Sequence, residues 1–126
     1  MKALVLAAIL SLMGCVTVPG NGCDLASPPE SARISTTHGL DLAIFPAVVP
    51  RGFTGCQRMW IGDQRELRRM ELLATAYFES GRVVRFAGQE PGGPSYDCRY
   101  SAGVLDAPSS LNPGRCPHPS KLEGLE

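Results

Sequence analysis

Five cysteines and two histidines are the residues of this 126-residue chain best suited to ligating a metal or moving a proton. Cys15, Cys23, Cys56, Cys98 and Cys116 are widely separated and never form the CxxC pair that brings two thiolates onto one ion. Cys116-Pro-His118 is a lone C-x-H, so no metal or other cofactor is expected. His38 precedes Gly39 at an expected turn and His118 stands between prolines, which places both at the surface. A histidine base needs a nucleophile or a carboxylate beside it, and only Asp41 lies near His38 in the sequence. A small hydrolase built on that pair is one reading. Against it, the chain carries neither G-x-S-x-G nor H-E-x-x-H, and Gly92-Gly93 lies between prolines instead of opening a helix for phosphate. No catalytic residue is assigned, and the chain reads as a non-enzyme.

The first fifteen residues say more. Lys2 precedes a run from Ala3 to Met13, apolar but for Ser11 and too short to span a bilayer, which stops at Gly14-Cys15. Leu12-Met13-Gly14-Cys15 resembles the lipobox of bacterial lipoproteins, although Met13 stands where Ala, Ser or Thr is usual. The resemblance implies that residues 1–14 are a signal peptide and that the Cys15 thiol takes a diacylglycerol. Cys15 would then become the N-terminus and be acylated, typically with palmitate. Each buried CH₂ contributes about 0.8 kcal/mol, so two or three chains make a stable anchor where one would not. Val16 follows in place of Asp. Among bacterial lipoproteins that implies the outer membrane, with the domain on its periplasmic face.

With Cys15 given to lipid, an even set of four cysteines remains, and an exported chain reads such a set as two disulfides. No thiol is left over for catalysis. Three pairings are open. A nested pattern, Cys56–Cys98 inside Cys23–Cys116, is favoured because the inner two fall in strand-like segments and the outer two in flanks that need tying down. Twelve basic and twelve acidic side chains leave no electrostatic footprint for nucleic acid. Fourteen glycines and eleven prolines favour turns and short strands over long helices.

The pattern along the chain supplies the scaffold. Residues 15–32 read as the lipidated N-terminus and a flexible linker, 33–116 as one β-rich domain, and 117–126 as a flexible tail. Arg33–Thr37 and Leu40–Phe45 are candidate strands, and Pro46 and Pro50 confine residues 47–49 to an edge or loop. Residues 55–61 form a third strand, ending at the Gly62-Asp63 turn, with Trp60 expected in the core near Cys56. Residues 63–76 are ambiguous. Leu67, Met70, Leu73 and Ala74 fit a helical face, whereas Met70, Leu72, Ala74, Ala76 and Phe78 alternate as in a strand. The extended reading is preferred from about Met70, because the segment runs into a hairpin turning at Glu79-Ser80-Gly81-Arg82. Gln89 to Pro94 is a loop, after which Tyr96, Cys98 and Tyr100 share one strand face. Arg58, Arg65, Arg68, Arg69, Arg82 and Arg85 read as a solvated face balanced by Glu66, Glu71, Glu79 and Glu90.

The expected fold is mainly β: a small antiparallel β-meander or partly closed barrel, disulfide-stapled, with at most one short helix. The expected function is that of a lipid-anchored, non-catalytic envelope lipoprotein, structural or partner-binding at the membrane–cell wall interface. Its expected partners are the membrane, through the anchor, and an envelope protein. An inhibitor or immunity-type module blocking a lytic enzyme is the alternative.

Overall fold

The computed structural model describes residues 19–123; residues 1–18, which include the expected signal peptide and Cys15, and residues 124–126 lie outside the described residues. Seven strands pair in chain order, each antiparallel to the next. They are β1 (Arg33–Thr37), β2 (Leu40–Phe45), β3 (Gly55–Gly62), β4 (Glu71–Glu79), β5 (Arg82–Gln89), β6 (Ser95–Ser101) and β7 (Val104–Leu105). The fold is thus the meander, and the sheet does not close into a barrel. One short helix among the described residues, α1 (Pro119–Leu122), follows the strands.

Three hairpins turn through two residues each, His38-Gly39, Ser80-Gly81 and Ala102-Gly103. All six have φ between 49° and 83°. Positive φ at both central positions is the I′ geometry whose twist matches the flanking strands. The ambiguous stretch resolves as a 3₁₀ turn at Leu67–Arg69, extended from Glu71 onward. Its alternation is not continuous, however. A bulge sets Met59 opposite Ala74 but Trp60 opposite Leu72, so Leu72 and Ala74 leave on opposite faces.

Directly opposed residues share a face, so the registers divide the sheet cleanly. One face carries Ile34, Ala43 and Trp60 along one row, and Cys56, Tyr77 and Arg85 along another. The other carries Ile44, Met59 and Ala74, then Gln57, Ala76, Phe86 and Cys98. Each face receives one flank of the chain.

The bridges are Cys23–Cys56 and Cys98–Cys116, with Cα separations of 4.9 and 5.6 Å. This corrects the nested pairing. Cys56 and Cys98 lie on opposite faces and three strand spacings apart, about 14 Å, whereas a disulfide needs Cα atoms within about 7 Å. The flank expected as linker is therefore bound to the sheet from Cys23 onward. Trp60 Nε1 donates to the Ala26 carbonyl at 3.1 Å, and Arg58 Nη1 to that of Leu25 at 2.8 Å. Trp60 is fully buried, packed with Ala32, Ala43 and Met70, with Leu25 and Ile34 alongside.

The expected tail is held too. Tyr100 Oη donates to the Pro117 carbonyl at 2.7 Å, and burial pushes its hydroxyl up to about 12, so it stays protonated as a donor. The Glu123 carboxylate accepts from Val83 N–H at 2.8 Å, and Pro119 is buried. His118 caps α1, its Nδ1 accepting from Ser120 N–H. The same flank covers the β6 edge, where Asp97 and Leu111 exchange backbone hydrogen bonds.

Candidate functional site

The histidine–carboxylate pair does not assemble. His38 sits in its turn with φ 52°, exposed, while both Asp41 oxygens are taken: Thr36 Oγ1 donates at 2.7 Å and Gln64 N–H at 2.8 Å. Those bonds, the Gln64 amide foremost, hold the Asp41 carboxyl below the usual carboxylate range. Beside it, Arg65 grips Asp63 and holds it at about 2. A wide hollow of about 530 Å³ lies over these turns. Arg65 and Asp63 pair with each other, and Asp41, through Gln64 N–H, fastens the β3–β4 connection to β2.

The arginines pair partly as expected. Arg69 meets Glu66 at 3.4 Å, but Arg65 meets Asp63, and Glu90 meets Arg115. Arg85 forks onto Asp97 at 3.0 and 2.9 Å and lies over the Tyr77 ring at 5.0 Å. Arg99 approaches the same carboxylate at 3.3 Å. Asp97 thereby separates Arg85 from Arg99, which stand directly opposite each other across β5 and β6.

A different surface has the shape of a ligand site. On the Met59 face, a groove of about 400 Å³ runs between β2–β3 and the C-terminal flank. Its floor is the cross-strand pair Ile44 and Met59. One wall is the loop Ala47–Val49, held in place by Gln57 Nε2, which donates to the Pro46 carbonyl at 2.9 Å. The other wall is Leu122, which α1 and the Cys98–Cys116 bridge carry onto the sheet. Small side chains at Ala74 and Ala76, between Met59 and Phe86, leave a small cavity of about 60 Å³ that shares Ile44, Gln57, Met59 and Leu122 with the groove. Arg33 and Lys121 stand at the rim, and among the described residues neither is in an ion pair. The rim acid, Glu123, is occupied by Val83 N–H.

The groove combines an apolar floor with two cationic side chains and one carboxylate among its lining. Sequence reasoning missed it, since its wall comes from a segment read as a flexible tail. One signal was present: two alanines, Ala74 and Ala76, alternate within a strand whose neighbours are large. Among the described residues, no group of three or more His, Cys, Asp or Glu side chains could hold a metal ion. No helix among them is long and apolar enough to cross a membrane. The chain matches no family model, no curated protein and no solved structure.

Proposed function

We propose that this chain is a lipid-anchored lipoprotein of the bacterial envelope, held at the periplasmic face of the outer membrane, whose domain works by binding instead of catalysis. The observation that carries the reading is the division of labour among the cysteines. Four pair into two bridges, and the fifth, Cys15, ends the apolar run in Leu12-Met13-Gly14-Cys15. Paired cysteines in a small domain suit an oxidising compartment, which an exported protein reaches. The groove, with its apolar floor and charged rim, gives such a domain a surface to bind with.

Metabolic labelling with a tagged fatty acid tests the anchor. The full chain made in a bacterial host should incorporate label and sediment with outer membranes, and Cys15→Ser should lose both properties. Label retained by Cys15→Ser, or a wild-type chain free in the periplasm, defeats the reading.

A further inference from the structure

We infer that the groove on the Met59 face is a binding site for a long-chain fatty acid, its methylenes on the Ile44–Met59 floor and its carboxylate at Arg33 and Lys121. Three observations converge on this occupant. The groove's volume of about 400 Å³ falls within the roughly 300–1,000 Å³ of small-molecule sites. The adjoining cavity, at about 60 Å³, is well below the roughly 150 Å³ that admits a benzene ring, so it excludes ring-bearing ligands and leaves room only for a thin apolar group.

The polar groups narrow the choice further. The strand backbones under the floor are paired in the sheet, and Gln57, which gives one N–H to the Pro46 carbonyl, is the one side-chain amide in the lining. A peptide laid here would bury most of its amide groups against the apolar floor, with only Gln57 there to meet them, at a cost in desolvation. A hydrocarbon chain carries no such groups. At the rim, Arg33 offers the planar fork that matches a carboxylate, and Lys121 a second positive charge. Glu123, which accepts from Val83 N–H, offsets one of these charges, so the rim keeps a net positive charge of one.

The inference rests on the binding reading above but not on the lipid anchor, so the two can fail separately. Titration of purified Cys15→Ser protein with cis-parinaric acid, a fluorescent fatty acid, should give saturable binding of one molecule per chain. Oleate should displace it at least tenfold better than oleyl alcohol, which has the same chain without the charge. The double variant Arg33→Glu/Lys121→Glu should bind at least tenfold more weakly, with an unchanged circular dichroism spectrum and thermal midpoint. Methyl NMR shifts should move at Ile44, Met59 and Leu122, and stay fixed at Val104 and Leu111. No saturable binding overturns the inference, as does equal displacement by the alcohol or full affinity in the double variant. Shifts centred away from the groove, or preferential displacement by an acidic peptide, also overturn it.

Discussion

The two faces of the sheet are each stapled by one disulfide to one end of the chain, yet the N-terminal flank seals over Trp60 while the C-terminal flank leaves a groove beside Met59. On the Trp60 face, a large aromatic fills the space beneath the N-terminal flank and reaches it through the Ala26 carbonyl. On the Met59 face, β4 presents the short side chains of Ala74 and Ala76, and the C-terminal flank rests beyond them, against the cluster of Phe78, Tyr100 and Val83. Covering a sheet with a strap of irregular chain closes it only where the side chains beneath are tall enough to meet the strap. Where they are short, the strap becomes the wall of a groove.

The sharpest way to break this contrast is to remove the tall residue. Trp60→Ala should destabilise the domain by about 3–5 kcal/mol, the range for deleting a buried aromatic. Met59→Ala, on the half-open face, should cost about 1 kcal/mol, because less of its area leaves water on folding. Urea denaturation of both variants checks the ratio. Equal losses would mean that the groove floor is as tightly packed as the core.

The staples come next. By the loop-entropy model, replacing Cys23 and Cys56 should cost about 3–4 kcal/mol, and replacing Cys98 and Cys116 about 3 kcal/mol, since the bridges span 33 and 18 residues. The second pair should also remove the groove wall at Leu122, so hydrogen exchange should rise at residues 117–123 while β2 and β3 stay protected. Peptide mapping without reductant checks the pairing itself.

Gly88 sharpens the comparison at the aromatic end of the Met59 face, where Tyr96 stacks on Phe86 with ring centres 5.4 Å apart. A side chain at Gly88 would collide with the Leu73 carbonyl and come within 2.7 Å of the Tyr96 hydroxyl. Gly88→Val should therefore cost about 1–3 kcal/mol by overpacking, with a loss of near-ultraviolet tyrosine signal.

The smallest effect belongs to the charged end of the Trp60 face. Arg85 foremost, then Arg99, hold the Asp97 carboxyl below its usual range. A carboxylate depressed in the folded state adds stability above its unfolded pKa of about 4, and that stability is lost as pH falls through the lower folded value. Asp97→Asn should lower stability at pH 7 by at most about 1 kcal/mol, the scale of a partly exposed pair. It should also flatten the acid limb of a stability–pH curve below about pH 4.

Much of the strand plan was legible because the signals are local. The Ser80-Gly81 turn, the strands from Arg33 to Phe45 and the one-sided row Tyr96, Cys98, Tyr100 all follow from neighbouring residues. The disulfide pairing and the groove were not legible, for one shared reason. Which face a residue occupies depends on register across several strands, and the bulges at Met59/Trp60 and Tyr77/Phe78 each shift that parity by one residue. The flanks were misread because proline marks irregular chain without saying whether it is loose. Pro28 and Pro119 are both buried against the body.

The order of the bridges along the chain has a consequence for how the molecule is oxidised. Were the chain threaded N-terminus first into an oxidising compartment, Cys23 would meet its partner before Cys98 is presented, and Cys98 would then have only Cys116 to take. A chain delivered from its N-terminus to an oxidant joins the right sulfurs simply by order of arrival. A nested arrangement would have required Cys23 to remain reduced while two other thiols, Cys56 and Cys98, passed it, leaving correct pairing to slow thiol–disulfide exchange.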